Sequence, residues 1–200
     1  VVPGSRSVIE CWEVSGNRAI PTDIILNSLA RGGPLSLKTV ESATRRVLRL
    51  YEWHGRPLAV VKPREAEPVS HGRYRVVLDV DEGDVVELEH LSFAGAGRVS
   101  PRVLERVARF APSEWRPDRI AAWRRNLSAS RLVQVDGERL VESEQGYALL
   151  FSVRPERASR ATAAAGYDAE RAEFSGFVSM DLLNIANSGR RLRGAWASYR

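Results

Sequence analysis

The sequence is poor in the residues that most often carry chemistry. Its 200 residues include one cysteine, one methionine and three histidines, and of its 30 cationic side chains only Lys38 and Lys62 are lysines. A single cysteine, Cys11, excludes an internal disulfide and a thiolate metal cluster. On a predicted strand it reads as a small core residue. His54, His71 and His90 are far apart and lack ligand spacing, so no metal site is expected. No apolar run approaches the ~18 residues that a membrane helix requires. No charged-then-apolar leader is visible, and the first residue is Val. The pattern also stops in mid-segment at Tyr199-Arg200, which suggests a piece of a longer protein. No Ser-His-Asp set, paired carboxylates or P-loop stands out, and the expectation is a protein that is not an enzyme, with no catalytic residue and no cofactor.

What is present is an internal repeat. Residues 9–25 read IECWEVSGNRAIPTDII and residues 88–104 read LEHLSFAGAGRVSPRVL. Superposing Gly16 on Gly95 pairs Ile9 with Leu88, Trp12 with Leu91, Val14 with Phe93 and Ile20 with Val99. Downstream, RYRVVLDV from Arg73 matches GYALLFSV from Gly146. A period of about 80 residues exceeds the usual solenoid repeats, so each copy is expected to be a small domain.

Each copy has the same predicted order. In the first, Val8–Val14 alternates like a strand and Ser15-Gly16-Asn17 supplies a turn. Pro21-Thr22-Asp23 opens a helix with Ile24, Ile25 and Leu29 on one side, stopped by Gly32-Gly33. Ser36 is a predicted N-cap for a second helix carrying Val40, Ala43, Val47, Leu48 and Tyr51 at helical spacing. Two short apolar runs follow, 58–62 and 74–80, separated by a polar loop. In the second copy, 88–93 is a strand and Ser100-Pro101 starts a helix. A further helix carries Ile120, Trp123 and Leu127. Strands over 132–141, with a turn at Asp136-Gly137, and 147–153 complete it. The expected core includes Ile24, Val47, Val103 and Trp123.

After Pro155 the pattern changes to three weakly alternating segments of about 10 residues, a weak signal in itself. Gly176, Val178, Met180 and Leu182 share one face, as do Leu192 and Trp196. This fits transmembrane barrel strands or an amphipathic meander on a soluble domain. The net charge of +5 raises nucleic-acid binding, since Arg102, Arg106, Arg109, Arg116, Arg119, Arg124 and Arg125 crowd the second copy's helices. Glu105, Glu114 and Asp118 interleave with them, as on a solvated helix face with local ion pairs, and no nucleic-acid partner is expected. Gly95-Ala96-Gly97 lacks the third glycine of a dinucleotide fingerprint.

Taken in order, these features resemble a known family. Two β-α-α-β-β modules with Val14-Ser15-Gly16-Asn17 after the first strand resemble POTRA (polypeptide-transport-associated) domains, as do Tyr51 and Gly55 with Ala59 and Val61 after them. The tail from 163 to 196 is similar to the first barrel strands of the BamA/TamA superfamily, with a loose turn match at Asn184–Arg190. The resemblance favours the barrel over the meander. It implies an α+β fold with modules at 7–82 and 86–155, followed by the opening antiparallel strands of a transmembrane β-barrel at 158–200. It implies a bacterial outer-membrane protein with periplasmic POTRA modules that assembles barrels or translocates polypeptides. Its implied partners are unfolded outer-membrane or secreted polypeptides, outer-membrane lipid and accessory assembly proteins. Clients would add a strand to an exposed module edge, here Leu58, Val60 and Val61 in the first copy and Leu132, Val133 and Val135 in the second. A soluble tandem peptide-binding module and a two-partner secretion transporter are the alternatives. The 40-odd residues after the modules are too few for a barrel of eight strands.

Overall fold

The computed structural model describes residues 7–144, 146–156, 160–168, 173–183 and 191–198. The chain divides into two compact units. One comprises Val1–Glu87 with Ser113–Arg119, and the other Leu88–Pro112 with Ile120–Arg200.

In the first unit, β1 (Val8–Ser15) leads to α1 (Thr22–Ser28), α2 (Leu37–Trp53), β2 (Val60–Pro63), β3 (Glu67–Ser70) and β4 (Arg73–Asp81). The last strand is central, in the order β1-β4-β2. It runs parallel to β1 and antiparallel to β2 and β3. A parallel neighbour requires a crossover, which the helices supply. Ser36 caps α2 by accepting from the Thr39 amide at 3.2 Å, as the sequence predicts. Ala43, Val47 and Tyr51 then fall on one stripe and are buried against Val76, Leu78 and Val80 of β4. Trimming a side chain as enclosed as Leu78 to Ala costs about 2–5 kcal/mol.

Three expectations are corrected here. Ile24 is exposed, because α1 turns Ile25 and Leu29 to the core instead. Cys11 is exposed as well. The register of β1 slips between Ile9 and Cys11, a bulge that leaves Glu10 unpaired. The extra residue returns Ile9 to the same face as Trp12 and Val14 and turns Cys11 outward. The polar loop after β2 contains strand β3, which completes a hairpin with β4 around Gly72.

The second repeat runs β5 (Glu87–Ala94), α3 (Pro101–Ala108), β6 (Ser113–Glu114), α4 (Pro117–Ala129), β7 (Val133–Ser143) and β8 (Gly146–Pro155). Again the last strand is central, parallel to β5 and antiparallel to β7. Pro101 occupies the first turn of α3, and Arg109, at φ 59°, ends it in the left-handed region. Val103, Leu104, Ile120, Trp123 and Leu127 pack with Leu149, Phe151 and Val153 as buried core. The Asp136-Gly137 turn is instead a bulge inside one long strand, with Val135 opposite Val153 and Gly137 opposite Ser152.

The tail forms a three-stranded antiparallel sheet of β9 (Arg160–Asp168), β10 (Glu173–Leu183) and β11 (Arg191–Ser198), ordered β11-β10-β9. Of the Glu-Arg-Ala-Glu turn signal at 170–173 only Glu173, the first residue of β10, is described, and the turn at Asn184–Arg190 lies outside the described residues.

The repeat survives at the level of single atoms. Gly16 and Gly95 sit at φ 81° and 84°, a region that disfavours any side chain. A Cβ at Gly16 would run into the carbonyl oxygen of Val80, and one at Gly95 into that of Val153. Glu10 and Glu89 are the bulged residues of the two first strands. Gly16→Ala and Gly95→Ala should each cost more than about 2 kcal/mol by urea denaturation, through strain plus displacement of the central strand. Gly137→Ala, with nothing within 4 Å of the new carbon, should stay within about 0.5 kcal/mol.

Candidate functional site

Three features are exposed and chemically distinctive: the outer edges of the two module sheets, a carboxylate clasp beside Gly16, and one face of the tail sheet.

The edges follow from register. In β2, Val61 pairs with Val80 and Lys62 with Asp79, and the Arg64 amide donates to the Val77 carbonyl at 2.9 Å. Alternation then turns the amides of Val60 and Lys62 inward and that of Val61 outward. Pro63 has no amide, and β3 carries Pro68 and a register slip. The first edge is therefore short, interrupted and nearly without outward donors. In β7, the Glu156 amide donates to the Leu132 carbonyl at 3.0 Å. Gln134 accordingly bonds inward, while Val133 and Val135 present their amides to the open edge. Beyond the bulge the outward set becomes Glu138, Leu140 and Glu142. Of the sequence-predicted residues, Leu58 and Leu132 precede their strands. Val60 is exposed, and Val61 and Val133 turn their side chains to the core. A proline at Val60 would break a bond within the sheet rather than blunt its edge.

The clasp was not legible beforehand. Glu82 follows β4, and its Oε1 accepts from the Arg18 amide at 2.7 Å, the Ala19 amide at 2.8 Å and the Tyr51 hydroxyl at 3.0 Å. Tyr51 is fully buried, and burial, followed by the Glu82 hydrogen bond and charge, raises its pKa. Burial pushes the Glu82 carboxyl up, but the two amides, the Tyr51 hydroxyl and the Arg56 charge outweigh it and hold its pKa below the usual range. The sequence signal was a carboxylate two residues past the last core valine. On the sheet face opposite the helices, Asp79 is bonded by Ser15 and by Arg64 at 2.5 Å. Arg75 there bridges Glu13 at 3.3 Å and Glu67 at 3.2 Å.

In the tail, Val178 pairs with Ala163 and Trp196, Met180 with Ala161 and Gly194, and Leu182 with Leu192. One face is thus apolar across all three strands. Trp196 is 63% exposed, beside a depression of about 510 Å³ that Ala163, Ala165 and Val178 also line. The other face is mixed, with Thr162, Ser175, Ser179 and the Asp181–Arg193 pair at 3.6 Å around Phe177, which pairs with Ala164 and Ala197. No helix among the described residues is long and apolar enough to cross a membrane.

Comparison with known proteins agrees with this architecture. The POTRA family, described as surface antigen variable number repeat, matches residues 8–83. The structure of BamA from Haemophilus ducreyi lacking POTRA domains 1–3 aligns with a TM-score of 0.55 at 11% identity, covering 84% of this chain and 32% of that one. Haemophilus influenzae BamA POTRA3–5 aligns with a TM-score of 0.56 at 16% identity, covering 78% and 70%. No curated protein matches by sequence. Residues 8–83 thus match the POTRA family, and the α+β fold agrees with it. The likeness to the two BamA structures is one of fold, and the chain spans about a third of the length of the H. ducreyi structure.

Since Glu82 is held ionised in the fold, its contribution is complete above the ordinary carboxylate range, near ~4.3. It is lost as pH falls through the depressed folded value. Asp79, bonded by Ser15 and Arg64, and Asp136, bonded by Arg154, act in the same direction. Glu82→Ala should cost about 2–3 kcal/mol, leaving two amides and a buried hydroxyl unpaired, whereas Tyr51→Phe should cost about 1 kcal/mol. Thermal melts from pH 7 to 3 should show the Glu82→Ala deficit shrinking with acidification. A deficit that does not change with pH would contradict the clasp.

Proposed function

We propose that this chain belongs to an outer-membrane protein that assembles other barrels or passes polypeptides across the bacterial outer membrane. On this reading 7–82 and 86–155 are POTRA modules in the periplasm, and 158–200 opens a transmembrane β-barrel. A client enters as an extended strand and pairs with a module edge through its backbone, which tolerates many client sequences. The observation that supports this is the run of outward amides along β7, at Val133 and Val135 and again beyond the bulge. The edge of β2 and β3 is the weaker site, since Pro63 and Pro68 blunt it.

The apolar face of the tail supports the membrane assignment. Strands of 8 to 11 residues with one apolar face and one mixed face of small, polar and charged residues around Phe177 match the length and alternation of barrel strands.

Titrating the labelled chain with an unfolded barrel-strand peptide should shift the amides of Val133, Val135, Glu138 and Leu140 more than those of Val60 and Lys62. Val135→Pro removes an outward donor and no ladder bond, so affinity should fall about tenfold with circular dichroism unchanged. Shifts confined to the helices would sink the edge reading. Separately, a variant retaining Trp196 as its only tryptophan should emit further to the blue in zwitterionic micelles than in buffer. An unshifted spectrum would show that this face does not meet acyl chains.

A further inference from the structure

The arginines of the second unit are not spread evenly. Several gather where the second module hands the chain to the tail. Gly97 lies against Pro155, so close that a Cβ there would sit 2.9 Å from the proline Cγ, and this brings the neighbouring Arg98 beside the end of β8. The Glu156 amide bonds the Leu132 carbonyl, which brings Arg131 to the same end. Since β5 and β8 are parallel, α3 also begins there, with Arg102 on its exposed first turn. Arg98, Arg102 and Arg131 are exposed, and among the described residues none has an ion-pair partner. The acidic groups at this end are Glu156, which is exposed, and Asp136, whose two oxygens are taken by Arg154 at 2.7–3.0 Å.

The tail places further arginine positions at the end nearest this exit. Glu156 and Arg160 are four residue steps apart, so their Cα atoms lie within about 14 Å. By register, the start of β9, the end of β10 and the start of β11 share one end of the sheet. Arg160 stands there opposite Asp181, Arg191 opposite Leu183, and Arg193 pairs with Asp181. Arginine thus flanks the point where a water-facing module gives way to a sheet with an apolar face.

We propose that these two arginine-bearing ends form one basic girdle that binds the phosphates of anionic phospholipid headgroups at the membrane surface. The inference rests on the reading of the tail as membrane-embedded, which sets the girdle at headgroup depth. Guanidinium suits this task, since its fork of donors bridges phosphate oxygens in pairs. The girdle orients the module on the bilayer, and the apolar face supplies the depth of insertion.

Vesicle flotation of the 200-residue chain tests this. Vesicles of phosphatidylcholine alone are compared with vesicles containing 30 mol % phosphatidylglycerol, whose headgroups make the surface negative. Phosphatidylglycerol should raise the bound fraction, and added salt should reverse the gain. The triple variant Arg98→Gln, Arg102→Gln, Arg131→Gln should lose at least about tenfold of the phosphatidylglycerol-dependent affinity. Its binding to phosphatidylcholine, due to the apolar face, should not change. The control triple Arg45→Gln, Arg46→Gln, Arg49→Gln alters charge equally on α2 of the first module and should keep the gain. Equal losses in the two triples, or no loss in the first, overturn the girdle. Competition by soluble glycerophosphate at matched headgroup concentration would indicate a discrete phosphate site and also overturn it. The emission of Trp196 in zwitterionic micelles reports the apolar face without headgroup charge, so a failure of that reading is seen separately.

Discussion

The close pass of a glycine beneath the last strand's carbonyl is the constraint on which each module depends. First and last strands are parallel neighbours, so the chain leaves β1 at the same end at which β4 finishes. The turn that carries it toward the helices must cross that end. At Gly16 the crossing lies under the Val80 carbonyl, and at Gly95 under that of Val153. A side chain there would force the central strand away from both neighbours and open the face on which the helices pack. The rest follows from the crossing: a helical crossover on one side, a central last strand, and a third strand left at the rim. In the first module Glu82 secures the same crossing by bonding the Arg18 and Ala19 amides. In the second, Pro155 packed on Gly97 occupies the equivalent place without a charge.

The modules differ in how they finish their rims. In the first, the segment around Gly33–Leu35 bonds Ile9 of β1 and Ser7 just before it and closes part of that edge. The opposite edge is broken into β2 and β3 and carries two prolines. These are the devices by which a soluble sheet resists unwanted pairing. In the second, β7 runs through 11 residues without a proline, and its bulge at Asp136 does more than bend it. The extra residue changes parity, so Val133 and Val135 before it and Leu140 after it all face the helices. The strand keeps a core-facing side along its whole length and an open backbone along its rim. Two copies of one fold thus have unequal capacity to receive a strand.

Much of this was legible in the sequence because helical and strand periods are strong signals. The Gly16-on-Gly95 superposition, the Ser36 cap and the Ala43-Val47-Tyr51 stripe each rest on one local rule. What failed was parity. A bulge inserts a residue without a compositional mark, and Glu10 is not visibly different from any polar strand residue. Reading strict alternation through it grouped Cys11 with Ile9 and divided Ile9 from Trp12. At Asp136-Gly137 a dipeptide typical of turns occupies a bulge instead. The Glu82 clasp was hidden for another reason: its three donors are 31 to 64 residues away. A short polar stretch after β2 likewise concealed β3, because a strand of Glu-Pro-Val-Ser depends on its partner rather than on propensity.

In the tail, alternation within one strand says little, and pairing says more. A strand with Val178, Met180 and Leu182 on one side is common in soluble sheets. Here those residues meet Ala163 and Ala161 on one flank and Trp196 and Leu192 on the other, so the apolar character is continuous across the hydrogen-bonding direction. Two separate requirements result. The exposed face needs a partner that is apolar and does not demand specific shape, and the outer backbones of β9 and β11 need further strands. A second protein layer would satisfy the first and leave the second. Under the proposed membrane reading, closure into a barrel within lipid would satisfy both, and the mixed face with its Asp181–Arg193 pair would line the interior. On this reading lipid, rather than another protein layer, covers the apolar face.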